Sequence, residues 1–384
     1  MKYIIILFIS IALIGCSQDQ NQFSIKRGNY QRTGNYVTDP ITRINKVLWE
    51  ANPGKRTFDT NPILYDKKIF IGDNRGDIHV LESETGKELA TSNIDYGFHR
   101  SASFLGQQLQ INEGVLYFNI VGDITTYLCA VDVNTLQLKW KKELNLPYTP
   151  VIYGDKIYYS LSNELVSANK NDGKRVWSIK VGANKNDFIT SDLCMSEGTI
   201  FLGTDQKIHY AIDAKDGKIL WKEKLSGKEF PVSKVYYLRD ESESVIGGQN
   251  LLIYDSGSII SLDTKSGKEN WRGSYNCNSL AAVSENKIVF NKENAIDCIS
   301  LSNGKLIWEY SKKYFYPHTS PIIVGSNIYL SYEGDMGTGA FKCIDLNTGN
   351  ENWDYKPGAG SYISPLVYDK KMYLALSYKL IALE

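Results

Sequence analysis

The chain has 384 residues, of which 42% are hydrophobic, 12% aromatic and 22% charged, a composition that excludes a disordered, collagenous or multi-span membrane chain. Lys and Arg number 43 against 43 Asp and Glu, and loss of Lys2 with a leader leaves 42 − 43 = −1, so no basic field exists to hold a phosphate backbone and nucleic acid does not fit as a partner. The length accommodates two or three ordinary domains unless a repeat architecture gathers the residues into one closed body.

Met1 and Lys2 give a short positive start, and Tyr3 to Ile14 is an apolar run of twelve residues interrupted only by Ser10. That run is too short for a bilayer span of about 20 residues and has the length of a signal-peptide core. Leu13-Ile14-Gly15-Cys16 resembles a bacterial lipobox. The resemblance makes Cys16 the lipidated first residue of a mature envelope protein, held by several acyl chains because one alone binds only marginally. Ser17 follows the cysteine in place of an aspartate, which resembles sorting to the outer membrane, facing the periplasm. Residues 1–15 are therefore read as signal peptide, 16–40 as lipidated tether and lead-in, and 41–384 as one repeat domain.

Six of the seven tryptophans fall at one phase of a recurring motif: an Asp-like residue, a turn former three on, Gly four on, Lys five on and Trp eight on. Asp213 with Gly217 and Trp221, Asp263 with Gly267 and Trp271, and Asp345 with Gly349 and Trp353 carry it most fully. Asn169 with Gly173 and Trp177, and Ser300 with Gly304 and Trp308, replace the acid. Asp132 and Trp140 keep the ends around Leu136 and Gln137, while Glu82 and Gly86 keep the turn and place Ala90 where Trp is expected. Each turn predicts a tight hairpin whose glycine takes positive φ. With the β-rich runs upstream, the unit is four short strands, a propeller blade.

The phase positions 49, 90, 140, 177, 221, 271, 308 and 353 are 37 to 50 residues apart, which fits blades and not shorter solenoid repeats. After Trp353 only three strands remain before Glu384, while Val47-Leu48-Trp49 is a fourth strand without a blade. Inserting it there closes a ring: an all-β, eight-bladed propeller of four-stranded antiparallel blades, with no open edge. Trp49, Trp140, Trp177, Trp221, Trp271, Trp308 and Trp353 are read as packing between neighbouring blades.

The run Ala211-Ile212-Asp213-Ala214-Lys215-Asp216-Gly217-Lys218-Ile219-Leu220-Trp221 is similar to the tryptophan-docking repeat of the PQQ-like propeller superfamily, and Arg27-Gly28-Asn29 with Arg32-Thr33-Gly34 resembles the lead-in such proteins carry. One branch, the quinoprotein alcohol dehydrogenases, uses pyrroloquinoline quinone, Ca²⁺ and a vicinal disulfide. No two cysteines are adjacent here. The other branch, BamB-type lipoproteins, shares size, lipobox and eight blades. That resemblance implies a non-catalytic scaffold, without cofactor, that meets envelope proteins as a monomer within a complex. The alternative is a ligand-binding or sensor propeller, and a quinone-dependent dehydrogenase ranks below both.

No nucleophile, zinc or phosphate-loop motif supplies catalytic or metal residues. With Cys16 lipidated, Cys129, Cys194, Cys277, Cys298 and Cys343 remain; most read as buried fillers, and Cys277 with Cys298 is the pair placed to bridge within one blade. His79 and His209 read as satisfied structural histidines. The starts of the innermost strands, including His99-Arg100, Thr190-Ser191-Asp192, Val232-Ser233-Lys234 and His318-Thr319, should ring one mouth of the channel. His99, Arg100, Asp192, Lys234 and His318 are the candidate contacts there for a small ligand or peptide.

Overall fold

The computed structural model describes residues 25–92, 94, 96, 103–122, 125–144, 148–182, 184, 186–225, 244–255, 257–335, 339–358 and 363–384. Among these, the strands form eight sheets. Blades 1 to 8 begin with innermost strands Ile63–Tyr65, Ser103–Asn112, Val151–Tyr153, Cys194–Ser196, Val245–Gly247, Ala282–Ser284, Ile322–Val324 and Leu366–Tyr368. The middles of the second and third strands are buried on both faces, so several carry apolar runs such as Ile69-Phe70-Ile71.

Eight hydrophobic clusters join the sheets in cyclic order. Blades 1 and 2 share Phe70, Val80, Phe104 and Phe118, each following pair has a cluster of its own, and the last, with Trp49, Ile69, Ile71 and Tyr373, joins blade 8 to blade 1. The chain is therefore an eight-bladed β-propeller. Its seam lies in blade 8, where Val47–Ala51 pairs antiparallel with Lys379–Leu383, with Trp49 opposite Ala382 and Ala51 opposite Leu380. The amides of Asn45 and Lys46 extend this pairing by donating to the Glu384 carbonyl at 2.6 and 3.0 Å.

The repeated turn is wider than the tight hairpin expected from sequence. The amides of Gly217, Gly267 and Gly349 donate four residues back to the carbonyls of Asp213, Asp263 and Asp345 at 2.9, 2.8 and 2.9 Å. The motif carboxylate makes the longer loop workable by taking its spare N–H groups: Asp345 Oδ1 accepts from Asn347 at 3.0 Å and Thr348 at 2.8 Å.

The tryptophan eight residues on then locks onto the next blade's copy of that turn. Indole N–H groups donate from Trp49 to Ser83 O at 3.0 Å, Trp140 to Lys170 O at 3.0 Å, Trp177 to Lys215 O at 3.1 Å and Trp221 to Thr264 O at 2.8 Å. Trp271 and Trp308 do the same to Leu301 O at 2.9 Å and Leu346 O at 3.0 Å. The ring lies on the turn glycine, so a Cβ at Gly267 or Gly304 would stand 2.7 or 2.8 Å from Trp221 or Trp271. Across the strand pair each Trp faces a small residue: Ala382, Ala130, Ser167, Ala211, Ser261, Cys298 or Cys343. Tyrosines strengthen two grips, with Tyr117 Oη donating to the same Lys170 carbonyl at 3.1 Å and Tyr158 Oη to Ala214 O at 3.0 Å.

The two degenerate repeats meet at one junction. Where blade 1 has Ala90 in place of Trp, the residue opposite is the larger Val80, and the glycine position of blade 2 is Leu136, buried in the cluster between those blades. Leu136 adopts φ 54, so a side chain is tolerated in this left-handed turn once no indole covers it. Ring clearance, together with the backbone angle, is what keeps glycine in the other repeats.

All five described cysteines are free and buried. Cys277 lies in the cluster between blades 5 and 6 and Cys298 in that between blades 6 and 7, so the bridge considered from sequence does not form. Burial pushes the thiols of Cys129, Cys194, Cys298 and Cys343 up to about 12.

Trp140→Ala should cost ~3–5 kcal/mol in denaturant unfolding, the range for a buried aromatic, and the more exposed Trp177 less. Gly267→Ala should cost about 1–3 kcal/mol through the clash with Trp221. Ala90→Trp should destabilise the chain alone and recover stability when Val80→Ala and Leu136→Gly accompany it, an interaction a mutant cycle measures directly. Deleting residues 46–51 should give an aggregating product, visible by size-exclusion chromatography, because it reopens the edge of blade 8.

Candidate functional site

The axis of the ring is filled by the chain itself. Residues 25–40, read from sequence as the end of a tether, are packed: after a short 3₁₀ turn at Lys26–Gly28 the chain crosses the inner faces of successive blades. The carbonyls of Tyr30, Gln31, Thr33 and Gly34 accept the amides of Met195, Ile246, Val283 and Ile323 at 2.9, 2.9, 2.8 and 2.8 Å. These donors are the middle residues of the innermost strands of blades 4, 5, 6 and 7, whose free edge faces the axis. Asn35–Tyr36 then adds a parallel strand to Ile322–Val324, and Asp39 O accepts from Lys370 in blade 8 at 3.1 Å.

Two buried arginines fix this lead-in. Arg27 Nη2 donates to Ala281 O at 2.6 Å and Pro321 O at 3.2 Å, between blades 6 and 7. Its carbonyl accepts the Gly34 amide at 3.0 Å, and a Cβ on Gly34 would run into its guanidinium. Arg32, 3% exposed, donates from Nε to Leu193 O at 2.7 Å. Burial lowers the Arg32 pKa and the nearby Asp192 carboxylate opposes that shift. Burial of Tyr36 pushes its phenol up to about 12, against the pull of Arg27.

Of the residues expected at the channel mouth, Asp192 is buried, and its Oδ1 accepts the Thr149 amide at 2.6 Å. Its position holds blades 3 and 4 together and balances Arg32. His318 lies three blades away and pairs through Nε2 with Glu333 Oε2 of its own blade at 3.0 Å. The structure does not bring these two together. His99, Arg100, Lys234 and Cys16 lie outside the described residues. The innermost strand of blade 5 is Val245–Gly247, so Ser244, and not the Val232-Ser233-Lys234 segment, precedes it.

The two histidines read as satisfied differ. His79 is held between Glu88 Oε1 at 2.9 Å on Nδ1 and Asp73 Oδ2 at 3.3 Å on Nε2, with Arg56 bridging Asp73 and Asp77 at 3.3 and 2.8 Å. His209, 9% exposed against 1% for His79, has an Nδ1 without any hydrogen-bond partner, and this corrects the expectation. Sequence reasoning also passed over Lys342, a buried ammonium ringed by Tyr310, Phe315 and Tyr332 and paired with Glu351 at 2.8 Å.

The sequence matches the family described as outer membrane protein assembly factor BamB over residues 40–188 and 189–384. The chain belongs to the BamB family. The BamB of Moranella endobia (strain PCIT) is 23% identical over 334 residues, covering 82% of this chain and 83% of that protein. The crystal structure of BamB from Moraxella catarrhalis superimposes with a TM-score of 0.67 at 13% identity, covering 88% of this chain and 99% of that one. A quinoprotein ethanol dehydrogenase of Pseudomonas putida is 32% identical over 149 residues, 35% of this chain and 21% of that enzyme. The two branches resembled by the BamB-family repeats are thus both represented among its relatives.

In this chain Arg27 and Arg32 are buried against the innermost strands, and among the described residues no three His, Cys, Asp or Glu side chains gather to hold a metal ion.

The histidines give stability opposite pH dependences. Burial alone would lower the His79 pKa, but its bonds to Asp73 and Glu88 outweigh this and raise it above 6.5. Its contribution is therefore full below pH 6.5 and is lost as pH rises through the raised value. Burial lowers His209 to about 4, so stability falls as pH drops from 6.5 toward 4, where only the unfolded chain takes the proton. Burial would raise Glu351, but bonds from Lys312, Lys342 and Tyr310 bring it down to about 2, and its contribution is lost as pH falls from 4.5 through that value. Thermal unfolding across pH should show His79→Gln flattening the alkaline limb and His209→Asn flattening the limb between about 6.5 and 4.

Proposed function

We propose that this BamB-family chain is a lipid-anchored, non-catalytic scaffold of the bacterial envelope that works in outer-membrane protein assembly from the periplasmic face. The observation that carries the reading is the filled axis. In a quinoprotein the channel is the place for a cofactor, whereas here four backbone carbonyls and two buried arginines of the lead-in use the inward edges of blades 4 to 7. The outer strands and loops remain as the surface for partners. Family agreement with assembly factors over residues 40–188 and 189–384, against a match to a dehydrogenase over 35% of the chain, supports the same reading. Partners of this class engage scaffolds through exposed edges and grooves.

The lipobox supplies the anchor. Cys16 lies nine residues before Ile25, the first described residue, so an acyl anchor there sits close in sequence to the lead-in.

Tagged protein purified from detergent-solubilised membranes should bring outer-membrane assembly proteins with it. Recovery of the propeller without any envelope protein would refute the scaffold role. Cys16→Ser should abolish incorporation of labelled fatty acid and move a folded propeller to the soluble fraction. Added pyrroloquinoline quinone with Ca²⁺ should leave the unfolding temperature unchanged, because a ligand that binds the folded state would raise it.

A further inference from the structure

Six of the seven tryptophans sit on the turn glycine of the next blade, from Trp49 on Gly86 to Trp308 on Gly349. Among the described residues Trp353 has no such seat, because the third and fourth strands of blade 8 come from opposite ends of the chain and no turn joins them. The junction of blades 7 and 8 therefore lacks the contact that locks most of the others. What takes its place comes from one continuous stretch, residues 34–46, which links the lead-in to the closing strand Val47–Ala51.

That stretch meets blades 7 and 8 in succession. Gly34 O accepts the Ile323 amide at 2.8 Å, and Asn35–Tyr36 runs beside Ile323 and Val324 of blade 7. Thr38 Oγ1 and Asp39 O then accept the amides of Asp369 and Lys370, in the first turn of blade 8, at 2.9 and 3.1 Å. Ile41, 2% exposed, is buried in the cluster between these blades with Val324, Phe341, Val367 and Met372, and Tyr36 and Ile44 pack against that cluster. The Ile41 carbonyl accepts from Trp353 Nε1 at 3.4 Å and from the Tyr329 hydroxyl at 2.9 Å. Only Thr42, Arg43 and Ile44 separate Ile41 from Asn45, whose amide, like that of Lys46, donates to Glu384 O.

We infer that the lead-in is a latch: its docking in the axis and the pairing of the closing strand are one cooperative event, so the ring stays closed only while residues 27–41 are in place. The reason is the one that governs any tethered contact. Val47–Ala51 is tied through its C-terminal end to blade 1, and it meets Lys379–Leu383 through four residue pairs. A docked lead-in holds the other end of the strand beside its partner, which raises the effective concentration of the strand at the gap. It also joins blade 7 to blade 8, so the sheet that receives the strand is itself held in position. Arg27 and Arg32 thereby act at a distance. They bind carbonyls just ahead of the innermost strands of blades 4, 6 and 7, yet the strand whose pairing they secure belongs to blade 8. The latch makes a closed ring conditional on an occupied axis.

Hydrogen–deuterium exchange of the full chain reads both ends of the latch without an assembly assay, so its outcome is separate from that of the scaffold reading. The amides of Met195, Ile246, Val283 and Ile323 report the docked lead-in, and those of residues 47–51 and 379–383 report the seam. Arg32→Gln, whose contacts lie in blades 3 and 4, should speed exchange at the seam about tenfold or more. Lys46→Pro, which removes the amide bond to Glu384 O, should speed exchange of the four inner-strand amides in turn. A coupling between two sites is reciprocal, so each change must be felt at the other end. The middle strands of blade 2, Val115–Val121 and Thr126–Asp132, should keep their protection in both variants. Should a variant not fold, the parent chain decides: with denaturant raised below the unfolding midpoint, the lead-in and seam amides should follow one opening curve, below that of blade 2. Acceleration confined to the altered end, or separate curves for the two sets in the parent chain, would overturn the inference.

Discussion

The ring stands on the contact between an indole and the glycine turn of the next blade. A blade by itself is a small sheet with two apolar faces, and it is stable only when both are covered. The tryptophan supplies a large apolar ring, and its N–H satisfies a carbonyl at the turn, so one side chain provides area and register together. Because the same contact recurs from Trp49 on Gly86 to Trp308 on Gly349, each blade sets the angle at which its neighbour sits. The exception follows the same logic. At the junction of blades 1 and 2, the three positions of the contact are replaced together, with bulk moved from the absent indole to Val80 and Leu136. The cysteines find their place in this scheme too, since Cys298 and Cys343 are the small residues opposite Trp308 and Trp353.

A ring built this way leaves a row of inward N–H groups on its innermost strands. In blades 4 to 7 the lead-in meets them with the carbonyls of Tyr30, Gln31, Thr33 and Gly34, one blade after another. The segment is a ligand supplied in cis, and Arg27 and Arg32 extend its hold to carbonyls deeper in the channel. This distinguishes the chain from a propeller that keeps its axis for a cofactor, although the outer architecture of the two is the same. A superfold carries many functions, and the difference lies in what the centre is used for.

The repeat period, the turn glycine and the unpaired strand at Val47–Ala51 made the blades and their closure legible, because each leaves a fixed chemical mark on the sequence. Arg27, Gly28, Arg32 and Gly34 were also visible as a pattern, but nothing local says that a polar segment folds back into the channel, since its partners lie more than a hundred residues away. The mouth was harder still. Asp192 looks like a rim carboxylate until Arg32 arrives beside it, and the innermost strand of blade 5 begins at Val245, later than the spacing suggests. His79 and His209 occupy similar strand positions, and only the neighbours brought by the fold bond both nitrogens of one and leave Nδ1 of the other without a partner.

Blade 8 has no turn between its third and fourth strands, since the two come from opposite ends of the chain. Trp353 therefore has no glycine hairpin to grip, and the Ile41 carbonyl stands in, taking the indole N–H at 3.4 Å and the Tyr329 hydroxyl at 2.9 Å. The join is thus made by residues separated by almost the whole length of the polypeptide. During synthesis Val47–Ala51 leaves the ribosome first and must wait for Leu380 to Leu383 before it has a partner. At ~5–20 residues per second that delay is on the order of 15–65 s, and for an exported chain it continues until translocation is finished. Until then the edge of Val47–Ala51 stays without the strand it pairs with in the finished ring.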